Sequence, residues 1–263
     1  MNIEQAFPNT MMVSFKNPVV FCWVRSCMKE KAGTLLLAVG ILLLGSAFLK
    51  RAELEQAVYT VGTAKEQTVV VIDAGHGGKD PGKVGTNNAL EKDINLSIAL
   101  RLKNLLEQND VAVILTREED KDLASEQASN RKNEDLRARA ALIAETAPAV
   151  MVSIHQNSYP EADVDGAQVF YYSGLEAGKR LGTMIQESLK AEIRDGNHRV
   201  AKANKEYYLL KKANCPAVIV ECGFLSNPTE AALLATEEYQ EKIAFAIHLG
   251  IMEYINTVQT TEE

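Results

Sequence analysis

Three apolar runs of this chain end in short polar strings, and each string carries a side chain able to bind a metal ion or move a proton. Val69–Ile72 runs into Asp73-Ala74-Gly75-His76-Gly77-Gly78, Met151–Ile154 into His155-Gln156-Asn157, and Ala217–Val220 into Glu221-Cys222-Gly223. The chain has four histidines, and two of them fall at these positions. Imidazole nitrogens and carboxylate oxygens both bind Zn²⁺, and two His with one Glu and an open position is a known catalytic arrangement. Glu91, at the start of the next helical pattern, is a further carboxylate that could join the group. The spacing alone leaves the ligand set open, because residues this far apart are not the helical HExxH pattern. Gly77 and Gly78 leave backbone room beside His76 for an ion and a substrate.

The elements that must position these side chains follow from the hydrophobic pattern. Leu90–Gln108 has Ile94, Ile98, Leu102, Leu105 and Leu106 at helical spacing, and Val111–Leu115 is a short strand-like run. The charged stretch Arg117–Asp135 has hardly any large apolar residues and reads as a solvated loop ahead of an Ala-rich helix, Leu136–Thr146. Val150–Ile154, Ala167–Tyr172 and Ala217–Val220 read as buried strands, Glu176–Ile193 and about Tyr239 to Ile255 as helices. Strands alternating with helices specify an α/β domain with a mostly parallel central sheet covered on both faces. In such sheets ligands gather at the carboxyl ends of the strands, which is where the three polar strings lie.

Composition narrows the classes. Of 263 residues, 46% are hydrophobic and 24% charged, an ordinary globular balance that excludes wholesale disorder and fibrous repeats. Four cysteines without a CxxC pair exclude a disulfide scaffold, a zinc ribbon and a thioredoxin-type redox site. The net charge of −7 conceals a basic front: residues 1–51 hold six Lys/Arg and two acids, so the remainder is more acidic than the whole. An acidic body repels a phosphate backbone, which excludes nucleic acid as a partner.

Ala32 to Leu49 is uncharged and bracketed by Lys31 and Lys50. A run of this length meets the lower limit of about 17 residues for a spanning helix, and the basic residues before it place the body outside the cytoplasm. The expected organisation is a cytoplasmic segment 1–31, a transmembrane or signal segment 32–49, favoured as an uncleaved anchor, a linker 50–67, a catalytic domain 68–256 and a tail 257–263. Met28-Lys29-Glu30-Lys31 would make a conventional start for such a chain, which leaves residues 1–27 as an over-long beginning.

The strings themselves carry a resemblance. Val70–Gly82 (VVIDAGHGGKDPG), Glu91 within LEKDINL, Ser153–Ser158 (SIHQNS) and Pro216–Glu230 (PAVIVECGFLSNPTE) resemble, in order, the motifs of the zinc N-acetylmuramoyl-L-alanine amidases. The loop TREEDKDLASEQASNRKNEDL and the segment RVAKANKEYYLLKKANC are most similar to the spore-cortex members of that family. The resemblance implies a three-layer α/β/α fold and one Zn²⁺ held by His76, Glu91 and His155, with Glu221 as the catalytic carboxylate. It implies peptidoglycan as substrate, a place between forespore and mother cell, and an accessory protein as a possible partner at the zinc site.

Around that centre, Asp73 and Asn157 are candidates to orient the His ligands, as metal sites usually require. Arg199 and Lys202, with Lys211 and Lys212, are candidates to attract stem-peptide carboxylates. Several rival readings stand beside the cortex amidase. One is a vegetative amidase, and another a non-catalytic wall-binding module. A cysteine peptidase pairing Cys222 with His155 is a third, although Cys222 alternates away from Glu221 along any strand. A phosphate loop at GHGGKDPG fails for want of a following Gly-Lys-Ser/Thr.

Overall fold

The computed structural model describes residues 67–258 except 195, the backbone of 259–261, and isolated helical positions between 40 and 51. Apart from those positions, the segments expected at 1–31, 32–49 and 50–67 lie outside the described residues. Among the described residues, no helix is long and apolar enough to cross a membrane. The fold that follows belongs to the unit Glu66–Glu263.

Six strands form one sheet in the order β2-β1-β3-β6-β4-β5. They are β1 (Val69–Ala74), β2 (Ala112–Leu115), β3 (Val150–Asn157), β4 (Gln168–Tyr172), β5 (Lys202–Asn204) and β6 (Ala217–Phe224). β1 pairs in parallel with β2 and β3, and β3 with β6. β4 is the exception: it lies antiparallel to β6 and parallel to β5. A parallel return requires a crossover, usually a helix, and residues 158–167 between β3 and β4 contain none. The mostly parallel sheet read from the sequence is therefore correct, with its reversal at the short connection.

Alternation along the three central strands divides their side chains between two layers. Val70, Ile72 and Ala74, Val150, Val152 and Ile154, and Val218, Val220 and Cys222 share one buried cluster. That face packs on α1 (Glu91–Glu107), α3 (Glu176–Ile193) and α6 (Glu237–Thr261) through residues such as Ile98, Leu102, Ile185 and Ile247. Val71, Met151, Ala217 and Ile219 point the other way, toward α2 (Arg131–Thr146) and α4 (Tyr208–Lys212), against Ile143, Leu209 and Leu210. Because the side-chain period of a strand is two, Asp73, Ser153, His155 and Glu221 continue this second face as it leaves the apolar layer.

Two expectations need correction. The helix that was to begin at Leu136 begins at Arg131, where the Asn130 side chain accepts the Asn133 N–H as a cap. Arg117 and Asp135, assigned to a solvated loop, are buried, at 1% and 9% exposure. On α2 the inward positions at four-residue spacing are Asp135, Arg139 and Ile143, so an ion pair occupies places where the pattern demands apolar residues. Three short elements also lack a sequence signature: β5, α4 and α5 (Pro228–Leu234) are too brief to show a period. The last helix continues past its expected end near Ile255.

Candidate metal centre and its carboxylate

β1, β3 and β6 are consecutive neighbours, so their carboxyl ends place His76, His155 and Glu221 side by side; His155 and Glu221 are register partners. Glu91 enters from the opposite layer, as the first residue of α1, and crosses the top of the sheet. It is 2% exposed. One Glu91 oxygen, Oε1, lies 3.2 Å from His76 Nε2 and 3.0 Å from His155 Nδ1. The ligand atoms of His76, Glu91 and His155 lie within 4.8 Å of one another, the one such group among the described residues.

The donors face each other in a way that suits a cation. His76 Nδ1 is 2.8 Å from Asp80 Oδ2, and an ionised carboxylate accepts only. The ring therefore donates its proton to Asp80 and turns the Nε2 lone pair toward Glu91. Ligands bound tetrahedrally at about 2.0–2.1 Å lie about 3.3 Å apart, close to the two separations from Glu91. Space around the group depends on missing side chains. A Cβ on Gly75 would run into the His155 ring, and one on Gly82, whose φ is +68°, would come within 2.5 Å of Glu91 Oε2 and 2.8 Å of His76 Cδ2. The donor set and this cleared space fit a single metal ion.

The carboxylates differ in environment. Burial works to raise the Glu91 carboxyl, but the hydrogen bonds and charges of His155 and His76 outweigh it and hold Glu91 well below the usual range. Further hydrogen bonds reach it from the backbone N–H groups of Lys83 (to Oε2) and Gln156 (to Oε1). For His155, burial disfavours the charged ring, yet the bond to Glu91, its charge and those of Glu221 and Asp73 raise it overall. Glu221 is 7% exposed; burial and the negative charge of Glu91 push it up against the pull of His155 and Tyr207.

The loop carrying His76 is clamped from below. Its φ of +61° is left-handed, a region that costs a non-glycine residue free energy. Arg139 offsets that cost: Nη2 donates to the His76 carbonyl at 2.7 Å, and Nη1 to Ala74 O and Asp73 Oδ1. Arg117 donates to the carbonyls of Ala74, Gly75 and Lys92.

The remaining candidates lie as follows. Asp73 is fully buried; its side chain bonds Arg139, Thr116 and Ser153, and so supports β1 and the clamp beneath it. The Asn157 side chain accepts the Ser158 N–H, a local turn contact. Arg199 donates to Asp165 O and stacks over Phe224, and Lys202 is exposed on β5 at the sheet edge. Cys222 is fully buried on the opposite face from Glu221, and burial raises its thiol, which removes the cysteine-peptidase reading. Two residues escaped the sequence reading. Asp80 lies inside the GHGGKDPG string and has no periodic signal, and Tyr207 donates its hydroxyl to Glu221 Oε1 at 3.2 Å from a segment with no pattern of its own.

A mostly parallel sheet between helical layers, with two histidines and one glutamate at its carboxyl edge and a second glutamate reaching them from α1, defines a class of α/β proteins with a candidate His₂Glu metal group beside a buried carboxylate. Within it, the chain belongs to the N-acetylmuramoyl-L-alanine amidase family: the family profile of that description matches residues 70–253. It is similar to the germination-specific N-acetylmuramoyl-L-alanine amidase of Bacillus subtilis, 40% identical over 189 residues, which are 71% of this chain and 79% of that one. Among solved structures, the CwlD amidase of Clostridioides difficile, in complex with the GerS lipoprotein, is 43% identical with a TM-score of 0.71, covering 73% of this chain and 100% of that one. An N-acetylmuramoyl-L-alanine amidase from Clostridium difficile 630 is 30% identical, TM-score 0.66, covering 73% and 98%.

Proposed function

We propose that this amidase is a zinc enzyme of spore-cortex maturation, cleaving the amide between the lactyl group of N-acetylmuramic acid and the L-alanine of the stem peptide. The observation that carries the chemistry is the convergence of His76, Glu91 and His155 within 4.8 Å, beside a buried Glu221 that keeps one oxygen, Oε2, without a hydrogen-bond partner among the described residues. The cortex role is supported by similarity to the germination-specific relative and to CwlD. The lipoprotein in that CwlD complex supports an accessory partner here. The body acts outside the cytoplasm, tethered or exported through residues 32–49, and within the sporangium that place is the space between the forespore and mother-cell membranes.

His76 Nε2, Glu91 Oε1 and His155 Nδ1 would hold the ion, leaving a position for solvent. When bound, Zn²⁺ lowers the pKa of a water toward about 7 and polarises the scissile carbonyl. Glu221 Oε2 accepts the proton of the attacking water and returns it to the alanine nitrogen as the carbon–nitrogen bond breaks, leaving a lactyl carboxylate and a free amine. Burial tunes Glu221 to this exchange by bringing it nearer the working pH. Asp80 keeps the His76 lone pair aimed inward, and the Arg139 and Arg117 clamps hold that ligand in place before substrate arrives.

Digestion of purified peptidoglycan, with products read by mass spectrometry, tests the reaction: free peptides beginning with L-alanine beside intact glycan are expected. Glu221→Gln should retain zinc and lose about 10²–10⁴ in turnover, the ordinary worth of a general base. Near-normal turnover in that variant removes Glu221 from the mechanism, and glycan cleavage instead of peptide release sinks the amidase reading.

A further inference from the structure

We infer that Tyr207 is a positioning residue for Glu221, holding one carboxylate oxygen so that the other is the atom that exchanges the proton. The inference rests on the reading of Glu221 as the group that handles the water proton. The two Glu221 oxygens are unlike. Oε1 accepts the Tyr207 hydroxyl at 3.2 Å, whereas Oε2 is buried and has no hydrogen-bond partner among the described residues. Buried polar atoms are almost always paired, and an exception calls for a cause. An acceptor kept free beside the metal group, on a side chain whose other oxygen is tied down, has a cause in catalysis.

The phenol is itself fixed. Tyr207 stands at the start of α4, where its N–H donates to Asn204 Oδ1 at 2.9 Å. Its ring meets Phe170 edge-on with centroids 5.4 Å apart, and it packs against the apolar cluster around Leu209 and Leu210. Burial and the neighbouring Glu221 charge push the phenol up, so it remains a donor throughout the working range. A hydroxyl delivered from a packed ring restrains rotation of the carboxyl plane, which otherwise turns freely about a broad terminal torsion. The proton then moves from the attacking water to Oε2 and from Oε2 to the departing nitrogen; Tyr207 keeps its own proton throughout.

Tyr207→Phe removes the hydroxyl and retains the ring packing. In the zinc-loaded full chain, kcat should fall about tenfold, with KM and bound zinc within about twofold of the parent and the thermal midpoint nearly unchanged. The same change made on Glu221→Gln should cost nothing further in residual turnover, because residues acting as one unit are not additive. An unchanged kcat, a loss confined to KM, or an equal loss in both backgrounds overturns the assignment. If Glu221→Gln alone keeps near-normal turnover, the reading of Glu221 fails instead, and a tenfold loss in Tyr207→Phe would then assign Tyr207 to a role independent of it.

Discussion

At the scale of single residues, the centre shows how a side chain outside the proposed ligand set decides what those ligands can do. His76 has two ring nitrogens, and a neutral imidazole offers a lone pair on one of them. Asp80 Oδ2, 2.8 Å from Nδ1, accepts the ring N–H hydrogen bond and so leaves the Nε2 lone pair facing Glu91. Asp80 is itself prepared for this: burial works to raise it, but the bond to His76 and the Gly82 N–H hold it below the ordinary carboxylate range, so it stays an acceptor. Partners of this kind are typically worth about 10–100-fold in metal affinity. Asp80→Ala should accordingly weaken zinc binding by about that factor in a competition titration against a chromophoric chelator, while turnover at saturating zinc falls much less. Unchanged affinity would mean that something other than Asp80 sets the tautomer of His76.

At the scale of elements, β1 and α2 are joined by buried charge as well as by apolar contact. Asp73 and Arg139 are both almost wholly buried and 2.7 Å apart, and Asp135 one turn earlier on α2 completes the group. Removing one partner of a buried pair costs about 3–5 kcal/mol, because the other charge is left uncompensated. Arg139→Met should therefore lower the unfolding free energy measured by urea denaturation by about 3–5 kcal/mol, and Asp73→Asn added to it should recover part of the loss. The pH dependence follows from the sign at Asp73. Burial works to raise its carboxyl, but the Arg139 charge and the Ser153 bond hold it below the ordinary value. A depressed carboxylate stabilises the fold fully above the unfolded value of about 3.9 and loses that contribution as pH falls through the folded one. The gap between parent and variant should thus be widest near neutrality and narrow in acid. A gap independent of pH would show that lost packing, not charge, causes the destabilisation.

The same elements explain what could be read from the chain. Strands buried on both faces are continuous apolar runs, so β1, β3 and β6 and the polar strings that end them stand out, and a parallel sheet requires those ends to share an edge. The start of α2 is not legible in the same way, since a buried Asp and Arg at helical spacing imitate a solvated face. The roles of Asp80 and Tyr207 exist only in contacts made after α2 and α4 have packed, and no local pattern announces such contacts.

At the scale of the whole molecule, the candidate metal group ties together parts of the chain that are distant in sequence: the end of β1, the start of α1 and the end of β3. An ion that binds this arrangement and not the unfolded chain stabilises the entire domain, by about 2.7 kcal/mol when free metal is one hundred times Kd. The proton is its competitor. In the metal-free protein burial disfavours a charged His155, but Glu91, Glu221 and Asp73 raise it above the usual value of about 6.5. A raised imidazole contributes stability that is complete below its unfolded value and is lost as pH rises through the folded one. In the proposed zinc site the ion would displace that proton from Nδ1, the atom that faces Glu91. The rise in melting temperature on adding zinc should therefore be small near pH 5.5 and grow steadily to about pH 8, as the apo protein gives up its protonated pair and the ion replaces it. Differential scanning calorimetry at fixed free zinc measures this directly. A zinc-induced shift of equal size at both ends of the range would mean that His155 does not trade a proton for the ion, and would remove it from the ligand set.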